Sequence, residues 1–221
     1  MMPMEAPFSR IIGDAELPPL TPSPHIMGMP LSVPRYSVDD LDHFPDDGWK
    51  YELVDGVLLM TPGPGVPHEF VVERLYRALA TELSPDAGAR IFTRGSVQFG
   101  KFTRMEPDLL VIPGHYTPKS FWDDMRDWWL AVEVLSPSGR AYDMEIKRPA
   151  YLALGVAEVW LVDTVALAVQ VWKSGAEIPE TVTETLRWRP PGMDRDLVID
   201  LAEVFQDFTD FDEPSPPTPP A

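Results

Sequence analysis

The 221-residue sequence contains no cysteine. That excludes a disulfide framework, a thiolate nucleophile and any cysteine-ligated zinc or iron–sulfur centre, and it makes a reducing cytoplasm the expected compartment. Long apolar stretches are missing too. The N-terminus offers only Ile11-Ile12 where a secretory signal needs a longer apolar core, and no run approaches the ~20 residues of a membrane span. Secretion and membrane insertion are therefore not expected. Positive charge is scarce: 18 Lys+Arg face 35 Asp+Glu, a net charge of −17. Taken whole, such a chain suits a polyanionic partner poorly. What it does have is 44% hydrophobic residues, enough for one domain of ordinary size to bury a core.

The acidity sits mainly at the ends. Residues 1–48 carry 2 Lys+Arg against 8 Asp+Glu and residues 174–221 carry 3 against 11, whereas residues 49–173 are nearly balanced at 13 against 16. Salt screens charges over ~8–10 Å, so a locally basic surface in the centre can act independently of the flanks. Arg90, Arg94, Lys101 and Arg104 form such a stretch, read equally as a solvated face of two strands or as a contact to backbone phosphates. Proline punctuates the first 35 residues, from Pro3 to Pro34, and returns in Pro214, Pro216, Pro217, Pro219 and Pro220. Each proline fixes φ and removes a backbone donor. The expected organisation is a disordered Pro-rich arm over 1–35, a folded domain over 36–205 and an acidic Pro-rich tail over 206–221.

Within the domain, Ser37 is placed to cap a short helix at Val38–Leu41 by accepting from the amide three residues on. Tyr51–Met60 alternates as a strand pair around the two-residue turn Asp55-Gly56. Val71, Val72, Leu75, Leu79 and Leu83 recur at helical spacing, predicting an amphipathic helix from Pro67 to Leu83. Strands are expected at Arg90–Thr93, Ser96–Phe99, Asp108–Ile112, Trp129–Leu135, Val159–Val162 and Leu167–Trp172. A helix over Asp143–Leu154 ends at Gly155, Thr181–Trp188 adds an edge strand, and Leu197–Phe205 closes the chain. The mixture predicts an α/β or α+β fold around one central mixed sheet flanked by helices.

Two of these strands carry an acid where none is expected. Trp128–Leu135 is apolar on both faces except for Glu133, and Leu109–Ile112, equally apolar, is entered through Glu106-Pro107-Asp108. A buried carboxylate must be neutralised, paired or bound to a cation. If the strands are neighbours, Asp108 and Glu133 can share a divalent cation, since hard oxygen ligands suit magnesium. The bland alternative makes Asp108 a turn cap and pairs Glu133 with an arginine. Lys147 lies four residues after Asp143, which reads either as a surface ion pair or as an ammonium beside a phosphate or attacking water.

Glu106-Pro107-Asp108, Val132-Glu133-Val134-Leu135-Ser136-Pro137-Ser138, the Asp143, Lys147, Tyr151 series and Gly155-Val156-Ala157-Glu158-Val159-Trp160-Leu161-Val162-Asp163 together resemble the Uma-type family of restriction-like endonucleases, within the PD-(D/E)XK nuclease superfamily. Tyr51-Glu52-Leu53-Val54-Asp55-Gly56 and Thr61-Pro62 to His68 also match, so the resemblance covers roughly residues 36–175. It implies a restriction-endonuclease-like fold, with Asp108 and Glu133 as metal ligands, the carbonyl of Val134 as a third, and Lys147 as the catalytic lysine. In the superfamily's usual spacing that lysine lies two residues beyond the second acid; here Leu135 stands there, and the helix supplies Lys147 instead. Pro149 should kink or restart that helix.

Glu52 matches the family's upstream acid and reads as a holder of water or a second cation, or as a strand-surface glutamate. His68, at a helix start after a Gly/Pro-rich loop, reads as a phosphate contact or a cap. Arg94, Lys101 and Arg104 join it as candidate phosphate contacts. Ser136 and Ser138 lack the strained turn of a serine nucleophile and are expected to shape the turn. The resemblance implies a magnesium- or manganese-dependent endonuclease hydrolysing DNA phosphodiesters, with a homodimer as the natural way to cut both strands. The alternative is an inactive module of the same fold that binds nucleic acid or protein, and a third reading makes the acidic arms an autoinhibitory mimic of DNA.

Overall fold

A computed structural model of the chain describes residues 35–83 and 88–208. The arm expected over 1–35 and the tail over 206–221 fall almost entirely outside these residues. In chain order the elements are α1 (Val38–Leu41), β1 (Trp49–Val54), β2 (Val57–Pro62), α2 (Val66–Glu82), β3 (Ala89–Thr93), β4 (Val97–Phe99), β5 (Thr103–Met105), β6 (Leu109–Pro113), β7 (Leu130–Leu135), α3 (Arg140–Tyr142), a π turn (Asp143–Lys147), α4 (Arg148–Leu154), β8 (Glu158–Asp163), β9 (Ala168–Lys173), β10 (Glu180–Val182), β11 (Thr185–Trp188), β12 (Leu197–Asp200) and α5 (Leu201–Val204).

The β1–β2 hairpin turns on Asp55 and Gly56, both at positive φ (49° and 79°), the backbone a tight twisted hairpin requires. Ser37 precedes α1 as expected, but its amide and hydroxyl both bond to the Asp40 carboxylate at 2.7 Å, and the Asp40 amide goes to the Ser37 carbonyl. Helix α2 buries Val71, Val72, Leu75 and Leu79, and Leu83 is buried just beyond its end. Each such side chain contributes about 1.5–3 kcal/mol.

The central mixed sheet expected from the sequence is present, and two smaller sheets accompany it. Six strands run in the order β10-β9-β8-β7-β6-β3, β2-β1-β5-β4 form a second sheet, and β11 pairs with β12 alone. The division falls at Glu106-Pro107-Asp108: Pro107 has no N–H to continue a ladder, so the chain leaves the small sheet at β5 and enters the large one at β6. Strand β5 was not anticipated. The edge strand expected over Thr181–Trp188 is two strands, β10 on β9 and β11 on β12, because Leu186 and Trp188 turn into the core beneath the large sheet.

Both faces of the large sheet are covered. Leu109, Val111, Leu130, Val132 and Val134 face α2, α5 and the β11–β12 hairpin, whereas Leu110, Ile112, Ala131, Leu135 and Leu161 face Ala150, Tyr151, Trp128 and Met105. Alternation along β6 and β7 puts Asp108 and Glu133 on this second face, beneath the α3–α4 helical run. Strands β6 and β7 are antiparallel neighbours with Leu109 opposite Val132, so Asp108 and Glu133 stand at adjacent strand ends.

Candidate active site

Five segments deliver polar side chains to this corner, His68 coming from α2. Glu52 comes from β1 and Asp108 from the start of β6. Glu133 lies in β7, and Asp143, Lys147 and Tyr151 come from one side of the helical run. Lys147 is 3% exposed, and its Nζ stands 2.7 Å from Glu133 Oε1, 3.1 Å from Glu52 Oε2 and 3.4 Å from Asp143 Oδ1. Tyr151 donates its hydroxyl to Glu133 Oε1 at 2.6 Å. Glu52 accepts from the Glu106 amide at 2.7 Å, and Lys50, 3.7 Å from Glu52, donates to the Glu106 carbonyl. Asp108 Oδ2 accepts from the Val134 amide at 2.8 Å and lies 3.0 Å from His68 Nε2. The other ring nitrogen of His68 is buried without a partner among the described residues. A cavity of about 50 Å³ opens among these groups, lined by Glu52, His68, Asp108, Glu133, Asp143 and Lys147, room for a few waters or a hydrated ion.

The electrostatics separate the acids. Burial pushes Glu133 up, Lys147 opposes, and the charges of Asp143 and Asp108 add to the rise, leaving its carboxyl near pH 8. Burial would raise Asp108 as well, but the hydrogen bond and charge of His68 outweigh it and hold the carboxyl far below the usual range. Glu52 ends below its ordinary value because Lys147, Lys50 and the Glu106 amide overcome desolvation. Burial alone would lower Lys147; Glu133, Glu52 and Asp143 together hold its ammonium well above the ordinary lysine value.

The structure thus brings Glu52, Asp108, Glu133, Val134 and Lys147 to one place. The surface-pair reading of Asp143 and Lys147 is corrected: both are buried, because their side of the helical run packs on the sheet. Glu133 meets a lysine and a tyrosine where the bland reading expected an arginine. Glu52 is 2% exposed, not a surface glutamate. His68 is turned onto Asp108. Arg94, 67% exposed, lies 3.4 Å from Glu69, and Arg104 pairs with Glu106 at 3.0 Å; both line a neighbouring groove. Lys101 sits exposed in the β4–β5 turn, and Arg90 bonds the carbonyls of Gly114 and Tyr116. Ser136 accepts from the Gly139 amide and Asp163 from the amides of Val165 and Ala166, both shaping turns. Roles for Lys50, Asp143 and Tyr151 in the cluster were not anticipated. Lys50 shares a strand face with Glu52 by period two, and Asp143, Lys147 and Tyr151 are spaced by four, so the patterns that mark them are local ones.

A metal ion suits this donor set. Among the described residues no group of three or more His, Cys, Asp or Glu side chains forms a ready cage. Magnesium needs none: it is held through one or two carboxylates and keeps its other positions for water and substrate oxygens. Asp108 and Glu133 each engage their protein donors through one oxygen, which leaves the other as a hard ligand.

Fold and cluster together describe a mixed α+β protein with buried acids gathered at the end of its main sheet. The crystal structure of a protein from Anabaena variabilis, titled "a putative nuclease belonging to DUF820", matches with a TM-score of 0.61 at 19% identity, over 76% of this chain and 97% of that one. The fold is nuclease-like. The chain belongs to the Uma2 family, described as "putative restriction endonuclease", whose model matches residues 38–202. No curated protein matches. No described helix is long and apolar enough to cross a membrane.

Proposed function

We propose that the chain is an endodeoxyribonuclease that hydrolyses phosphodiester bonds with magnesium or manganese held by Asp108 and Glu133, the Val134 carbonyl completing the protein ligands. One observation supports this above the rest: two acids from adjacent strand ends face one small cavity with the Lys147 ammonium beside them. An extended residue turns its N–H and C=O to the same side. Because the Val134 amide faces Asp108, its carbonyl lies on that same edge. The nuclease domain we assign is 36–205, and the compartment a reducing cytoplasm.

Asp108 and Glu133 would hold the cation, which would supply Lewis acidity and favour deprotonation of the attacking water. Lys147 stays an ammonium, so its part is to stabilise the negative charge that builds on the phosphoryl oxygens, not to take a proton. Glu52, anchored on the Glu106 amide, and Asp143 fix the direction of that ammonium. His68 and the Val134 amide orient Asp108; Tyr151 orients Glu133. Arg94, Lys101 and Arg104 supply backbone-phosphate contacts, and His68 joins them only by releasing Asp108. Two copies, one per strand, complete a double-strand cut.

The test is nicking of supercoiled DNA with magnesium or manganese. The wild type is expected to nick at least about 100-fold faster than Asp108→Ala or Glu133→Ala; equal rates for all three would refute the reading. A module that binds without cutting has one observation in its favour, the neutralisation of the acids by Lys147 with no cation required. Calorimetric titration separates the two, since such a module gives no magnesium isotherm.

A further inference from the structure

Beside the carboxylate cavity lies a second, larger groove of about 570 Å³, within the size range of small-ligand sites. Lys50, Pro64 and Asp108 line both, so the two spaces adjoin. Phe44, Trp49 and Tyr51 give the larger one an aromatic wall. Phe44 stacks on Tyr51 with centroids 4.7 Å apart, and Tyr36 meets Phe44 edge-on. Trp49 also lines the groove and has no ring partner among the described residues. Asp47 fastens this wall from behind, accepting from the Trp49 amide at 3.1 Å and the Tyr51 hydroxyl at 2.9 Å.

The charge of the groove decides what it can hold. Lys50, Arg94 and Arg104 are offset by Asp42, Asp46, Glu106 and Asp108, so the lining is not cationic. Duplex DNA presents one phosphate charge per ~1.7 Å and its binding relies on neutralising them. A strand held here must draw much of its affinity from stacking on the rings. A duplex keeps its base faces inside the stack; an unpaired base exposes them.

We propose that this groove seats an unpaired nucleobase next to the phosphate at the Asp108–Glu133 cavity, so that the substrate is single-stranded or locally melted DNA. The inference rests on the nuclease reading for its placement but is tested by binding alone. The probes are an oligothymidylate of about 15 nucleotides and a duplex of the same length, followed by fluorescence anisotropy without divalent cation, using the full chain. The wild type is expected to prefer the single strand at least tenfold. Trp49→Ala should weaken single-strand binding about 5- to 150-fold, while Trp49→Phe, which keeps a stacking face, retains most of it. Melting curves for both variants confirm that they fold. A duplex bound as tightly as the single strand, or a folded Trp49→Ala with unchanged affinity, overturns the inference. Cation-dependent nicking that persists alongside that result leaves the nuclease reading standing. Trp49-dependent single-strand binding with no cleavage under any cation does the reverse.

Discussion

Replacing Lys147 by methionine removes the ammonium while keeping most of the stem, so the loss is electrostatic rather than a cavity. Its partners are as buried as it is: the side chains of Glu52 and Glu133 are 3% exposed and that of Asp143 11%. Deleting one member of a buried charge group leaves the rest uncompensated, at a cost of about 3–5 kcal/mol. For a domain of this size a loss of 1 kcal/mol lowers the melting temperature by about 2–4 °C, so Lys147→Met should melt roughly 6–20 °C below wild type. The sign of the pH dependence is distinctive. Without the ammonium the carboxyls of Glu133 and Asp143, already raised by burial, rise further, and a group that holds its proton more tightly when folded destabilises the fold as pH climbs through its pKa. The gap between variant and wild type should therefore narrow toward pH 5 and widen above neutrality. Urea unfolding followed by tryptophan fluorescence measures it, with an unchanged m-value as the control. A gap under about 1 kcal/mol, or one indifferent to pH, would show that the ammonium does not hold these acids together.

Glu133→Gln mimics the protonated acid. With the native carboxyl near pH 8 against an ordinary 4.5, wild-type stability should fall as pH rises across that interval. The variant should lose that slope in pH-resolved unfolding and bind no magnesium by calorimetry. Gly155 ends α4 at φ 97° with nothing within 4 Å of an added Cβ. Gly155→Ala should therefore cost about 1–2 kcal/mol of backbone strain without a clash, read as a lower denaturant midpoint.

Legibility in the sequence followed the range of the interaction. Spacing along α2, the Asp55-Gly56 turn and the two wholly apolar runs around Leu110 and Val132 are local patterns, and they located a helix, a hairpin and the two central strands. Those runs also exposed Asp108 and Glu133, since an acid in a strand apolar on both faces has no water to turn to. Which strand pairs with which is a long-range matter. Nothing near Thr103–Met105 marks it as the strand that joins β1 to β4, and the break at Thr183-Glu184 depends on where Leu186 and Trp188 find a core. The cluster was legible in Glu52, Asp108, Glu133 and Lys147, but not in the roles of Asp143, Tyr151 or Lys50: their spacing is local, while the burial and pairing that give it a use depend on other elements.

The position of Lys147 follows from the helix itself. Leu135, two residues past Glu133, is buried against Ala150 and Tyr151, so the strand offers apolar packing where a lysine would otherwise stand. Pro149 has no N–H for the Glu145 carbonyl, and in a regular helix its ring would press on that carbonyl. The chain widens there into the π turn: the Arg148 amide donates to Asp143, five residues back, before α-helix resumes. Such a turn inserts one residue and shifts the register of all that follows. Lys147 and Tyr151 then both reach Glu133 Oε1 from one side of the run. The proline expected to kink or restart the helix coincides with the irregularity that aims the lysine.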